Sequence, residues 1–188
     1  MQAGKPVGNA EILIQNFGAE SGSSEWRSFA RTDGEGRFAF AHLPPNRSFS
    51  LYATMESLAG RGAVSRQQGQ VHENGSTNDF GDLNLAPAFT VGGRIRLSDG
   101  KPIPAKSRLR LTRTTMAGVL DSLSLSLDED GSFRFAGVPA EPVALYLRIP
   151  GYQLTPRDAL LKSGSATNLT VVSDITGLVI EMKPAARR

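Results

Sequence analysis

One compound pattern occurs twice in this chain. The first copy reads Thr32-Asp33-Gly34-Glu35-Gly36-Arg37-Phe38-Ala39-Phe40-Ala41-His42-Leu43-Pro44-Pro45. The second reads Leu127-Asp128-Glu129-Asp130-Gly131-Ser132-Phe133-Arg134-Phe135-Ala136-Gly137-Val138-Pro139-Ala140. Each copy is an acidic turn with glycine, a Phe-x-Phe strand and an aliphatic-proline corner. Gly4-Lys5-Pro6-Val7 returns as Gly100-Lys101-Pro102-Ile103, and Leu83-x-Leu85-x-Pro87 as Ile180-x-Met182-x-Pro184, so all offsets lie between 95 and 97 residues. Self-similarity at a fixed spacing outranks any local propensity. The chain is therefore expected to build one small all-β unit twice, over residues 1–87 and 88–188.

Each unit exceeds the ~40 residues below which a fold usually needs metals or disulfides. There is no cysteine, which removes disulfides, thiolate metal sites and cysteine nucleophiles together. The formal net charge is +3, and the basic residues are interspersed. Arg94 and Arg96 alternate with Ile95 and Leu97, and Arg108 and Arg110 with Leu109 and Leu111. In a strand this places arginines on one face and aliphatics on the other. Such a face without interleaved aromatics is a solvated sheet surface, and nucleic acid is not expected as a partner. No stretch approaches the ~20 apolar residues of a membrane-spanning helix, and no charged and then apolar leader opens the sequence.

Short alternating runs separated by turn residues indicate antiparallel β-sandwiches. In the second copy strands are expected at 90–97, 108–114, 122–127, 133–135, 143–149, 169–172 and 178–182, with a short helical turn at 155–161. In the first copy they are expected at 11–15, 26–31, 38–40, 49–53 and 80–85, with an edge strand at 60–65 and polar loops at 16–24 and 67–78. The strand at 90–97 precedes Gly100, but Gly4 has only three residues before it. The first unit is therefore expected to lack its first strand and to expose a sheet edge that invites pairing with another chain. The inward phenylalanines should anchor each core, so Phe38→Ala and Phe133→Ala are each expected to cost about 3–5 kcal/mol.

The order Gly-Lys-Pro-Val/Ile, strand, Thr-Asp-x-x-Gly-Arg-Phe-x-Phe-x-x-Leu-Pro-Pro resembles the carboxypeptidase regulatory-like domain. The first copy matches it at Thr32, Asp33, Gly36, Arg37, Phe38, Phe40, Leu43, Pro44 and Pro45. The second matches at Asp128, Asp130, Gly131, Phe133, Phe135, Gly137, Val138 and Pro139, with Ser132 in place of the arginine, and adds Pro150-Gly151-Tyr152. The resemblance spans nearly all the chain. It implies two tandem Ig-like/transthyretin-like (prealbumin-like) antiparallel β-sandwiches. It also implies a non-catalytic accessory role, as scaffold, spacer or protein-interaction module of a larger bacterial cell-envelope or secreted protein. The partners implied are other domains of that protein or other envelope proteins, and the location is extracytoplasmic: periplasmic, cell-surface or secreted. The motif residues make turns and core, so no catalytic residue, cofactor or metal ligand is carried over.

Other chemistries fit the residues less well. The two histidines, His42 and His72, lack close ligand spacing, and Tyr52 lies in the other copy from Tyr146 and Tyr152, which argues against a two-His, two-Tyr iron site. The carboxylates of Asp128-Glu129-Asp130-Gly131 are read as a hairpin turn, since a calcium loop needs further oxygen ligands. The alternative function is a carbohydrate-binding module of starch-binding-like type, with sugars stacked on exposed aromatics. Its candidate ligand contacts are Trp26, the one tryptophan, and Tyr152 after the Pro-Gly break. Local function is otherwise expected on the divergent loops 16–24, 67–78 and 152–166.

Overall fold

The computed structural model describes residues 5–17, 24–58, 60–115, 118–154 and 166–185. The expected helical turn at 155–161 and most of the loops 16–24 and 152–166 lie outside these residues. Among the described residues the chain is all-β apart from one helical turn. The first half contains β1 (Glu11–Phe17), β2 (Ser24–Arg31), β3 (Arg47–Ala53), α1 (Met55–Leu58) and β4 (Gln67–Val71). The second contains β5 (Phe89–Leu97), β6 (Arg108–Thr115), β7 (Gly118–Ser126), β8 (Ser132–Val138), β9 (Pro142–Arg148), β10 (Tyr152–Leu154), β11 (Ala166–Thr170) and β12 (Ile175–Pro184).

The second half is a sandwich of two four-stranded sheets, β10-β12-β5-β8 and β7-β6-β9-β11. One core joins them: Val91, Ile95, Phe133, Phe135, Ile180 and Met182 from one sheet meet Leu109, Leu111, Val143, Leu145 and Leu147 from the other. Strand period explains the choice of faces. Leu109 and Leu111 are fully buried while Arg108 and Arg110 are exposed, and Arg110 lies 5.1 Å over the Tyr146 ring on the outer face. The sandwich departs from an all-antiparallel plan at one place, where β12 runs parallel to β5. The last strand returns beside the first through a long connection, which hairpins cannot provide. Gly93 makes that approach feasible, because a Cβ there would sit 1.9 Å from the Leu178 carbonyl oxygen.

The first half has one regular sheet among the described residues, β2-β1-β3-β4. Its order repeats that of β7-β6-β9-β11 strand for strand. Ile12, Ile14, Phe49 and Leu51 face a core completed by Leu58, Val64, Val71 and Leu83. The facing layer is irregular. Residues 38–40 and 80–85, expected as strands, are coil, and the expected edge strand at 60–65 is reduced to one bridge between Ala63 and Ala86. The physical reason lies in the other half, where β5 is the neighbour that supplies a ladder to both β8 and β12. Among the described residues no strand takes that place beside 38–41, whose backbone joins no ladder. Conversely, 67–71, expected as polar loop, forms β4, because the edge of β3 gives even Gln-Gln-Gly-Gln a pairing partner.

Candidate functional site

The repeated acidic turns are occupied by their own backbone. Asp33 accepts hydrogen bonds from the amides of Glu35 (3.0 Å) and Arg37 (2.8 Å), and Arg37 Nε reaches its second oxygen at 3.1 Å. These bonds, the Arg37 amide first, hold the Asp33 carboxyl below its ordinary value. Asp130 likewise accepts from the Ser132 amide and hydroxyl, so serine replaces the arginine contact with a local one, and its carboxyl is also lowered. His42 has φ 58° and occupies the place that Gly137, φ 79°, holds in the second copy. It is exposed and marks the corner. Among the described residues no group of three or more His, Asp or Glu is arranged to hold a metal ion.

The two aromatic candidates are not brought together. Trp26 is half-buried on β2 and packs edge-on against Phe49, with ring centroids 5.7 Å apart and planes at 80°. Tyr152 lies on β10 in the other half, where its ring packs on the second core and its hydroxyl donates to Asp99 Oδ2 at 2.9 Å. Lys101 Nζ approaches the same carboxylate at 3.0 Å and is the chief cause of the lowered Asp99 carboxyl. Burial, then Asp99, pushes the Tyr152 hydroxyl up.

Two further features stand out, and the first of them was not read from the sequence. The first is a clasp between the halves around Arg113, which follows Leu109 and Leu111 in strand phase and is fully buried. Its Nε donates to Glu141 Oε1 and its Nη2 to Glu141 Oε2 at 3.1 Å. Nη1 donates to the carbonyl of Ala53 at 3.3 Å, and Nη2 to that of Val64 at 3.0 Å, both in the first half. The guanidinium also lies 5.0 Å over the ring of Tyr52, which is fully buried and whose hydroxyl is raised mainly by desolvation. Beside it, the amide of Met55 donates to Asp121 Oδ2 at 2.7 Å, and the Met55 side chain enters the second-half core. Burial pushes the Asp121 carboxyl up, and the Met55 bond opposes that shift. The available signal was the phase itself: an arginine in register with inward leucines.

The second feature is a groove of about 810 Å³ in the first half. Phe38, Phe40 and Leu43 border one side, Phe80 and Leu85 another, and Ile12 and Val64 belong to its floor. Phe38 and Phe40 still alternate with exposed Ala39 and Ala41, but they are only half-buried, whereas Phe133 and Phe135 are 6% and 3% exposed. Among the described residues, the backbone amides and carbonyls of 38–41 have no hydrogen-bond partner. Phe80 rests on the bare backbone of Gly69, where a Cβ would come within 2.0 Å of the ring.

No protein-family model matches the chain, and no curated protein matches it. Among solved structures it is similar to the minor pilin GBS52 of Streptococcus agalactiae, at 17% identity over 98% of this chain and 86% of that one, with a TM-score of 0.42. It is also similar to a streptococcal ancillary pilin, at 13% identity over 96% of this chain and 59% of that one, TM-score 0.46. A third is the shaft pilin spaA from Lactobacillus rhamnosus GG, at 10% identity over 98% of this chain and 90% of that one, TM-score 0.38. At these identities and scores the similarity transfers no function. No helix among the described residues is long and apolar enough to cross a membrane.

Proposed function

We propose that the chain is a rigid pair of carboxypeptidase regulatory-like sandwiches, 1–87 and 88–188, that serves as a non-catalytic scaffold or spacer within a larger extracytoplasmic bacterial protein. The observation that carries this reading is the Arg113 clasp. A buried cation that ties a carboxylate of one half to two carbonyls of the other holds a fixed angle, which a flexible tether does not need. The repeated order of β2-β1-β3-β4 and β7-β6-β9-β11 supports a duplicated unit. The conspicuous motif residues are spent on turns and cores, which supports a structural rather than a chemical role.

The absence of cysteine makes the test direct. Spin labels on cysteines introduced at exposed Ser48 and Ser124, one per half, should give a single narrow distance distribution by pulsed electron resonance. A broad distribution would show halves that tumble separately and would overturn the spacer reading. Fractionation of cells carrying the tagged parent protein tests its extracytoplasmic placement.

A further inference from the structure

Strand register lays out the outer face of β7-β6-β9-β11 in cross-strand rows. Ser126, Arg108 and Arg148 lie side by side in one row, and Ser124, Arg110 and Tyr146 in the next. The row after that closes the face, because Thr112 and Ala144 are buried. Residues two apart on a strand share a face at about 7 Å, and directly opposite residues lie about 4.5–5.5 Å apart. Three arginines therefore rise from one small patch, and all three are exposed. The arginines of β6 have no aromatic between them in sequence, but β9 brings Tyr146 beside Arg110.

No carboxylate stands in either row. Among the described residues none of the three arginines makes an ion pair, and Arg110 lies 5.1 Å over the Tyr146 ring instead. Like charges directly opposite, as Arg108 and Arg148 are, weaken a sheet. The outer face of the other second-half sheet is balanced: Arg94 meets Asp130 at 3.7 Å, and Arg96 stands opposite Glu181. The first half puts the corresponding face of β2-β1-β3-β4 to another use. There Arg31 lies opposite Glu11 and pairs with it, and Phe29, Leu13 and Tyr52 form the next row, with Leu13 and Tyr52 buried. By strand order and register, the second half has arginine in place of Glu11 and Leu13, serine in place of Arg31 and Phe29, and keeps the tyrosine. These exchanges remove the carboxylate and the apolar pair and leave cations and hydroxyls.

We propose that this patch binds an acidic polysaccharide of the polyuronate class, its carboxylates held by Arg108, Arg110 and Arg148 and its hydroxyls by Ser124, Ser126 and the Tyr146 hydroxyl. Guanidinium forks match carboxylates in bidentate geometry. Each unit of a polyuronate carries a carboxylate beside hydroxyls, the complement of arginines flanked by serines. A single-stranded nucleic acid needs successive rings for its bases, and these rows hold one, with Arg110 across it. A lipid surface needs an apolar anchor, and the exposed large apolar side chains Phe29, Val172 and Val179 lie outside both rows. The patch is a property of the second half and does not depend on the spacing reading.

The test is titration calorimetry of the full chain at low ionic strength, with an oligogalacturonate as probe. Saturable binding is expected, weakening as salt rises, with amide chemical shifts moving at 108–110 and 146–148. Arg108→Ser/Arg148→Ser should weaken binding by more than about tenfold. It should leave the melting temperature in place or raise it, since it removes opposed like charges from an exposed row. Arg96→Ser/Arg134→Ser takes the same charge from the exposed face of the other sheet and should change the affinity by less than about twofold. The methyl-esterified probe, which keeps the sugars and loses the charge, should not bind. No saturable binding, equal losses from the two double variants, or equal binding of the methyl ester would each overturn the proposal. So would tighter binding of a single-stranded oligonucleotide or of anionic vesicles, since the occupant would then be a nucleic acid or a membrane. The titrations use the unlabelled chain, so they and the spin-label distances fail separately.

Discussion

Arg113 gives the sharpest energetic test. It is fully buried, its carboxylate partner Glu141 retains 17% side-chain exposure, and its remaining donors satisfy the carbonyls of Ala53 and Val64. Truncation to alanine removes one partner of a buried ion pair, a change that costs about 3–5 kcal/mol because the other charge is stranded. The lost stacking on Tyr52 adds about 0.5–2 kcal/mol, though the terms share atoms and do not simply add. Against a domain stability of about 5–15 kcal/mol this is a large fraction. Urea unfolding should be followed both by Trp26 fluorescence, which reports the first half, and by circular dichroism. The wild type should show coincident transitions. Arg113→Ala should lose at least about 3 kcal/mol and separate the two signals, since the clasp couples the halves. The double variant Arg113→Met/Glu141→Leu, which leaves no unpaired carboxylate at 141, should recover a substantial part of that loss. A cost for Arg113→Ala under about 1 kcal/mol with the transitions still coincident would refute the clasp.

The phenylalanine pairs should respond unequally. Phe133→Ala, at a buried core site on β8, should cost about 3–5 kcal/mol in denaturant melts, and Phe38→Ala, half-buried beside the groove, distinctly less. Gly69→Ala should drive Phe80 off its seat and cost about 1–3 kcal/mol, readable as a shifted melting midpoint. The Asp121 carboxyl is raised above its ordinary 3.8, so the native state binds the extra proton between that value and the raised one. Its stabilising contribution is present at low pH and is lost as pH rises through the raised value, opposite in sign to the lowered Asp33, Asp99 and Asp130. Asp121→Asn should therefore gain stability relative to wild type as pH rises from about 4 to 7; a difference that stays flat, or falls, would refute this assignment.

Much of the fold was legible because strand period is local. The alternation of leucine with arginine in β6, and of leucine with serine in β7, set their faces before any neighbour was known. The turns were equally legible, since Asp33 and Asp130 bond amides two to four residues away. What failed to be read depends on neighbours distant in sequence. β4 is a strand only because β3 offers an edge, and 38–41 is not one because none of the described residues forms a ladder beside it. Trp26 and Tyr152 were chosen for their chemical type, and only packing shows one set edge-on against Phe49 and the other committed to Asp99. Arg113 was hidden by its charge: its strand phase said inward, but a buried guanidinium requires Glu141, Ala53 and Val64 to converge on it from 28, 60 and 49 residues away.

By itself, then, the sequence determined an all-β chain with a repeated motif, its turns and the faces of most strands, all consequences of spacing along the chain. The tertiary structure alone decided that the two halves are clasped at Arg113 and that 67–71 pairs with β3. Both depend on which distant segments meet, and hydrogen-bond ladders and buried charges are satisfied only by partners in space.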